Sequence, residues 1–466
     1  MLFNSYHFLI FFPTVLILYY VIRQKYRWIL LLAASYYFYM SWNFWYLGLI
    51  LTSTLIDYTA ALKINNTSDP GLKKRWLLLS IFCNLGILVT FKYFNFFADS
   101  ARQLLLNFGV EASPVFLNVI LPVGISFYTF QTISYTVDVY RGRLQAETHL
   151  GYFALFVSFF PQLVAGPIER ASHLLPQFKQ QKQIGLDDIH VGINRILYGL
   201  FKKVVIADRL SFYVDSVYSD IGGASSSMIL LASFFFLVQV YCDFSGYSDI
   251  AVGAARLLGF DLIINFSRPF LSTSFNEYWQ RWHISLSNWV KDYIYIPLGG
   301  SRISKFRSYA NLIIAFIIMG LWHGASWTFV LWGVMHGTLQ ALERLFQNTV
   351  NLNIPRRLKS ISGWFVVMLS FVLSMIFFRA ESTSDAFEAF HRTFSTPINL
   401  SLNEIKAGIA SNDFYLSCIV VILLAISYLL PQSFNFKYNY SFGLTMIAFI
   451  LIFGINETIE FVYFQF

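Results

Sequence analysis

Run after run of about twenty residues in this chain carries almost no charge, and no other feature constrains its fold as strongly. Apolar stretches lie at 6–22, 28–46, 47–62, 76–97 and 115–136. Others lie at 192–214, 226–254, 309–330, 361–378, 413–430 and 441–458. In lipid a segment must satisfy its own backbone N–H and C=O groups, so such runs predict helices. The expected fold is an all-α polytopic membrane protein with about ten to twelve spans plus re-entrant or interfacial helices. Residues 1–466 are read as a single membrane domain, with a core motif region at 115–340 and further helices over 360–466. Hydrophobic residues make up 56% of the chain and charged residues 12%, which excludes a water-soluble enzyme, a disordered chain and a disulfide scaffold. Cys83, Cys242 and Cys418 each lie in an apolar stretch without metal-like spacing, so buried, unpaired thiols are expected.

The net charge of +8 reads as topology rather than nucleic-acid binding, because no basic run is interleaved with stacking aromatics. Arg23, Lys25 and Arg27 follow the first stretch, Lys63, Lys73, Lys74 and Arg75 the third, and Arg141 and Arg143 the fifth. Alternate loops are therefore basic, which places them in the cytoplasm and the N-terminus outside. Residues 1–20 read as a retained first span, since no positive charge leads them. The apolar stretch 151–168 is followed by Glu169, Arg170, Lys179 and Lys182, which also read as cytoplasmic. A re-entrant segment ending at Gly166-Pro167 reconciles these charges.

Polar residues inside apolar segments are functional candidates by default. The stretch 241–249 carries Asp243 and Asp249, with serines and tyrosines between them. It reads either as a polar helix–helix contact or as a functional cluster. Residues 265–302 are too polar to span, and 274–291 has helical periodicity. On one continuous helix at about 100° per residue, Asn276, Gln280 and Ser287 fall on the side of His283. The alternative is an interfacial helix with His283 merely at its border. His323 interrupts a third apolar run, between Trp322 and Gly324, and is either functional or hydrogen-bonded to a neighbouring helix. His336 reads as packing or support. No dinucleotide fingerprint, phosphate loop or zinc pattern is present, so the expectation is no metal and no tightly bound cofactor. Intramembrane histidines without a metal pattern suit acid–base chemistry.

Five blocks resemble the membrane-bound O-acyltransferase family. They are LPVGISFYTFQTISYTVDVYRG (121–142), FFPQLVAGPIERA (159–171), YCDFSGYSDIAVGAARLLGF (241–260), NFSRPFLSTSFNEYWQRWHISLSNWVKDYIYIPLGGSR (265–302) and GLWHGASWTFVLWGVMHG (320–337). The resemblance points to the bacterial polysaccharide branch typified by alginate O-acetylation. It implies a ring of helices around a central cavity open towards both faces. It implies that His323 falls on the family's essential histidine and His283 on its second motif position.

The implied activity moves an acetyl group from a cytoplasmic thioester, acetyl-CoA, across the bacterial cell membrane to a cell-surface polysaccharide. His323 would be the general base. Asn276, Gln280, Ser287, Asp243, Asp249 and Trp322 would position substrate or donor. An extracytoplasmic acetyltransferase is the implied partner. Lys202, Lys203 and Arg209 suit CoA phosphates or serve as positive-inside charges. The rivals are D-alanyl transfer to teichoic acid, acetylation of peptidoglycan and, from another class, a transporter; the absence of internal repeats counts against the last.

The charge pattern makes one topological prediction. Alkaline phosphatase fused after Gly109 should be active in whole cells and inactive after Lys74, and the opposite pattern would invert the orientation.

Overall fold

The computed structural model describes residues 1–464 except positions 112, 165, 350–354, 400, 407, 430–439, 456 and 458. Among the described residues every regular element is helical. The chain divides into two compact units, Met1–Gly192 with Ala251–Ile263, and Ile193–Ile250 with Ile264–Phe466.

The first unit holds α1 (Tyr6–Val21), α2 (Gln24–Met40), α3 (Leu47–Asn66), α4 (Pro70–Leu88) and α5 (Phe94–Asn107). It continues with α6 (Ile125–Tyr140), α7 (Leu150–Ser158), α8 (Phe160–Leu163) and α9 (Ala171–Lys179). Helix starts follow local chemistry. Ser5 accepts from the Phe8 N–H ahead of α1, and Asp69 accepts from the Gly71 N–H with Pro70 as the first residue of α4.

Lipid supplies no hydrophobic drive between helices, so close packing and polar contacts must hold them. In the first unit that contact centres on Asp57 of α3, which is fully buried. It accepts from Ser80 and Asn84 of α4, the latter at 2.8 Å, and from Thr136 of α6 at 3.0 Å. Ser53 adds a bond to the Asn84 Oδ1 at 2.6 Å. One carboxylate thus ties three helices. A second buried carboxylate, Glu169, accepts from the Ile263 N–H at 2.6 Å and meets His173 Nδ1 at 2.8 Å, fastening the 159–171 block to the 261–263 strip.

Several helices span both units or lie in the second. They are α10 (Leu186–Leu200), α11 (Asp208–Tyr218), α12 (Ser226–Leu257), α13 (Phe275–Arg281) and α14 (Ile284–Val290). The second unit continues with α15 (Lys305–His323), α16 (Trp327–Thr349), α17 (Arg356–Arg379), α18 (Thr383–Ser395), α19 (Leu402–Ile405), α20 (Ser411–Leu429) and α21 (Tyr440–Phe453).

All the apolar stretches lie wholly or partly in helices, yet several are interrupted. The stretch 115–136 becomes helical only at Ile125, because Pro122 and the left-handed Gly124 (φ 76°) precede it. The stretch 76–97 contains a π-helical turn at Val89–Tyr93, and 192–214 contains one at Phe201–Ala207. The stretch 309–330 breaks after His323. Among the described residues six helices are long and apolar enough to cross a membrane, where about ten to twelve spans were expected, and three shorter apolar helices accompany them. The pair α7–α8 turns at Phe159 and is buried from Phe153 to Leu163. At Leu150–Leu163 it is shorter than the about twenty residues a span needs.

The Asp57 cluster generates a stability prediction. Asp57→Ala leaves its donors without an acceptor and should destabilise the protein by about 1–3 kcal/mol, with Asp57→Asn milder. Thermal unfolding in detergent measures this; an unchanged midpoint for Asp57→Ala would remove the cluster's structural role.

Candidate active site

His323 is the last residue of α15. Gly324 leaves the helix in an extended conformation, and a Cβ there would lie 2.1 Å from the Phe329 ring, so only glycine lets the chain turn at this point. The His323 side chain is buried in an aromatic wall. Ring centroids of Trp322, Trp332, Phe378 and Tyr463 lie at 5.0, 5.2, 5.2 and 5.3 Å. The group borders a narrow cavity of about 10 Å³, also lined by Leu237, Val240 and Trp282.

His283 stands at a break in the expected helix. Residues 274–291 form α13 and α14 with Trp282 and His283 between them, and His283 is left-handed at φ 42°. Two backbone bonds hold the break: Ser267 N–H to Arg281 O at 2.9 Å, and Ile284 N–H to Asn265 O at 2.9 Å. Non-glycine residues pay for φ > 0, and such strain clusters at functional sites. The continuous register that grouped Asn276 and Gln280 with His283 therefore fails. Those two are exposed, whereas His283 is fully buried. The Asn276 N–H is held by Glu343 at 3.0 Å. Ser287 is half-buried on α14, its hydroxyl donating to Trp282 O at 3.3 Å.

The state of His283 follows from its partner. Asn265 Oδ1 receives the Ser285 N–H at 3.1 Å, and a backbone N–H can only donate, so that atom is the oxygen. His283 Nδ1, 3.2 Å from the same oxygen, is then the donor, and Nε2 carries the lone pair. The segment lies outside the spanning helices, and burial pushes the imidazole down to about 3, so it stays neutral at physiological pH.

The two histidines share one neighbour. Trp322 lies 5.4 Å from His283 and 5.0 Å from His323, centroid to centroid, with edge-on geometry to both. The structure thus brings His283, Trp322 and His323 together.

Asp243 and Asp249 serve other contacts. The close approach of α10 to α12 depends on Gly199 and Gly246, where a Cβ on either would sit 2.5–2.7 Å from the other's carbonyl oxygen. Beyond Gly199, the π-helical turn buries both Lys202 and Lys203. Lys202 meets Asp249 at 2.5 Å, and Arg195 meets the same carboxylate at 2.8 Å. Lys203 bridges Asp208 at 2.8 Å and Asp243 at 2.9 Å. Both lysines, read from sequence as mouth charges, are interior ion-pair members. Arg209 is buried too, 3.2 Å from Asp413.

His336 on α16 is fully buried among Trp332, Phe371 and Trp279, at 4.5, 4.6 and 5.4 Å. Neither ring nitrogen has a partner among the described residues. No three metal-binding side chains cluster among them either.

Two residues at the site escaped the sequence reading. Asn265 orients His283 across the helix break, and no periodicity links them. Tyr463 reaches His323 from a short segment with no motif. Asn265→Ala should lower transfer by about tenfold or more, because His283 loses the acceptor that sets its tautomer. Initial rates at equal protein level measure this, and an unchanged rate would detach Asn265 from the chemistry.

Comparison with known proteins shows the family. The profile of the membrane-bound O-acyltransferase family, MBOAT, matches residues 31–380. A probable alginate O-acetylase of Azotobacter vinelandii is 41% identical over 397 residues, covering 85% of this chain and 78% of its own length. A peptidoglycan O-acetyltransferase of Helicobacter pylori is 36% identical over 425 residues, covering 83% of this chain and 78% of its own. A teichoic acid D-alanyltransferase of Bacillus subtilis is 27% identical over 239 residues, or 49% of this chain and 60% of its own. With its helical membrane fold and its buried histidines on the matched blocks, this chain belongs to the membrane-bound O-acyltransferase family and is an acyl-transferring enzyme.

Proposed function

We propose that this enzyme moves an acetyl group from acetyl-CoA across the membrane for O-acetylation of a cell-surface or exported polysaccharide, with His323 as general base. The observation that carries the reading is the pairing of His323 and His283 across Trp322, beside a narrow apolar cavity. The acceptor hydroxyl gives its proton to His323. Its oxygen attacks the thioester carbonyl, and the tetrahedral oxyanion forms where little water can compete. Collapse of that intermediate breaks the carbon–sulfur bond, and the leaving thiolate takes the proton back from the imidazolium. A positioned base of this kind contributes about 10²–10⁴-fold. A dry site strengthens any donor aimed at the oxyanion. With its lone pair on Nε2, His283 is suited to accepting a hydrogen bond from a neighbouring hydroxyl of the acceptor and orienting it, not to donating to the oxyanion.

The similarity to alginate O-acetylases over 85% of the chain supports a polysaccharide acceptor. A second reading, acetyl transfer to peptidoglycan, is favoured by the Helicobacter relative at 83% coverage. D-alanyl transfer ranks below both, because that relative aligns with only 49% of the chain. The protein would sit in the bacterial cytoplasmic membrane with its N-terminus outside, take the donor from the cytoplasm, and pass the acetyl group to an extracytoplasmic acetyltransferase. Asn276, Gln280 and Ser287 would line the route to the site rather than touch the reacting atoms.

His323→Ala should reduce cell-surface ester acetate by about 10²–10⁴-fold at unchanged membrane level of the protein. Acetate near the wild-type amount would sink the proposed base. Thioester consumption by the purified protein separates this reading from a transporter, which would leave the donor intact.

A further inference from the structure

Residues 459–463 separate two cavities inside the second unit. Tyr463 borders the His323 cavity, as do Val240 of α12 and Phe378 of α17. Val462 and Glu460 border another cavity, of about 30 Å³, together with Gln239, Asp243 and Arg379. Neighbouring residues line different cavities on all three elements: Gln239 and Val240, Phe378 and Arg379, Val462 and Tyr463. The 459–463 segment is therefore a partition between a charged space and the histidine chamber.

This partition has little structure of its own. Its regular part is the single 3-10 turn Val462–Phe464. The first N–H groups of such a turn have no acceptor within it and need one from elsewhere. Asp243 supplies it: its Oδ2 accepts the Val462 N–H at 2.7 Å. Lys203, held between Asp208 and Asp243, donates to the Glu460 carbonyl at 3.3 Å. Phe461 packs on Tyr247 at 4.5 Å, which seats the segment from the other side. A bond to a carboxylate is stronger than one to a neutral acceptor, and it reads only the backbone.

We propose that Asp243 is a positioning residue, holding the backbone of residues 460–463 so that Tyr463 closes the His323 chamber. The role rests on that chamber being the reaction site, as argued above. Asp243 lies on the far side of the partition and acts through Tyr463 rather than on the substrate.

The test uses the full-length protein in membranes. A Tyr463→Cys reporter should react slowly with a membrane-permeant maleimide, measured as labelling above the parent chain. Adding Asp243→Ala, or Val462→Pro, should raise that rate by about tenfold or more. Val462→Pro removes only the donated N–H, leaves the ion pairs intact, and sits at the start of a turn where proline is tolerated. It therefore decides the matter even if Asp243→Ala fails to accumulate. Without the reporter, acetyl transfer should fall by about tenfold or more in Val462→Pro at equal protein level, while Asp243→Asn, whose amide oxygen still accepts the N–H, should retain more activity than Asp243→Ala. Unchanged labelling, or full activity in Val462→Pro, would overturn the proposal. If labelling responds while His323→Ala keeps full activity, the partition stands and the reading of the chamber as the reaction site fails.

Discussion

An ammonium group in a low-dielectric interior persists only beside opposite charge, and Lys202 and Lys203 place two such groups next to each other. The π-helical turn at Phe201–Ala207 turns both towards α12, where Asp249 and Asp243 receive them. Gly199 and Gly246 make the approach close enough. This pairing fixes the position of α12 against the segment that follows α10. It also fixes Asp243, the acceptor for Val462. Removing one partner of such a pair would leave an uncompensated charge, far costlier than the pair's net contribution.

Around the histidines the walls are aromatic. Edge-on contacts suit a ring whose face is negative and whose edge is positive. They help to give His283, Trp322 and His323 defined orientations. The contact from His283 Nδ1 to Asn265 sets the tautomer.

The first unit follows the same rule with different residues. Asp57 and Glu169 are buried carboxylates with several donors each, and each joins pieces of chain far apart in sequence. Glu169 belongs to a motif block, yet its visible work is structural. A motif residue is not thereby a chemical one.

The sequence alone was enough to determine the helical membrane fold, because an apolar run in lipid has one way to satisfy its backbone. It was enough to single out His283 and His323, because a histidine in such a run is costly and the surrounding blocks match a family. It also determined the placement of Asp243 and Asp249 inside an apolar segment, but not their partners. Those partners, Lys203 and Lys202, depend on a π turn that no hydropathy pattern reports. Only the tertiary structure decided that Asn276 and Gln280 part from His283, since one left-handed residue cancels the helical register on which their grouping rested. It alone joined Asn265 to His283 and Tyr463 to His323, because chain folding makes those contacts and no local spacing encodes them.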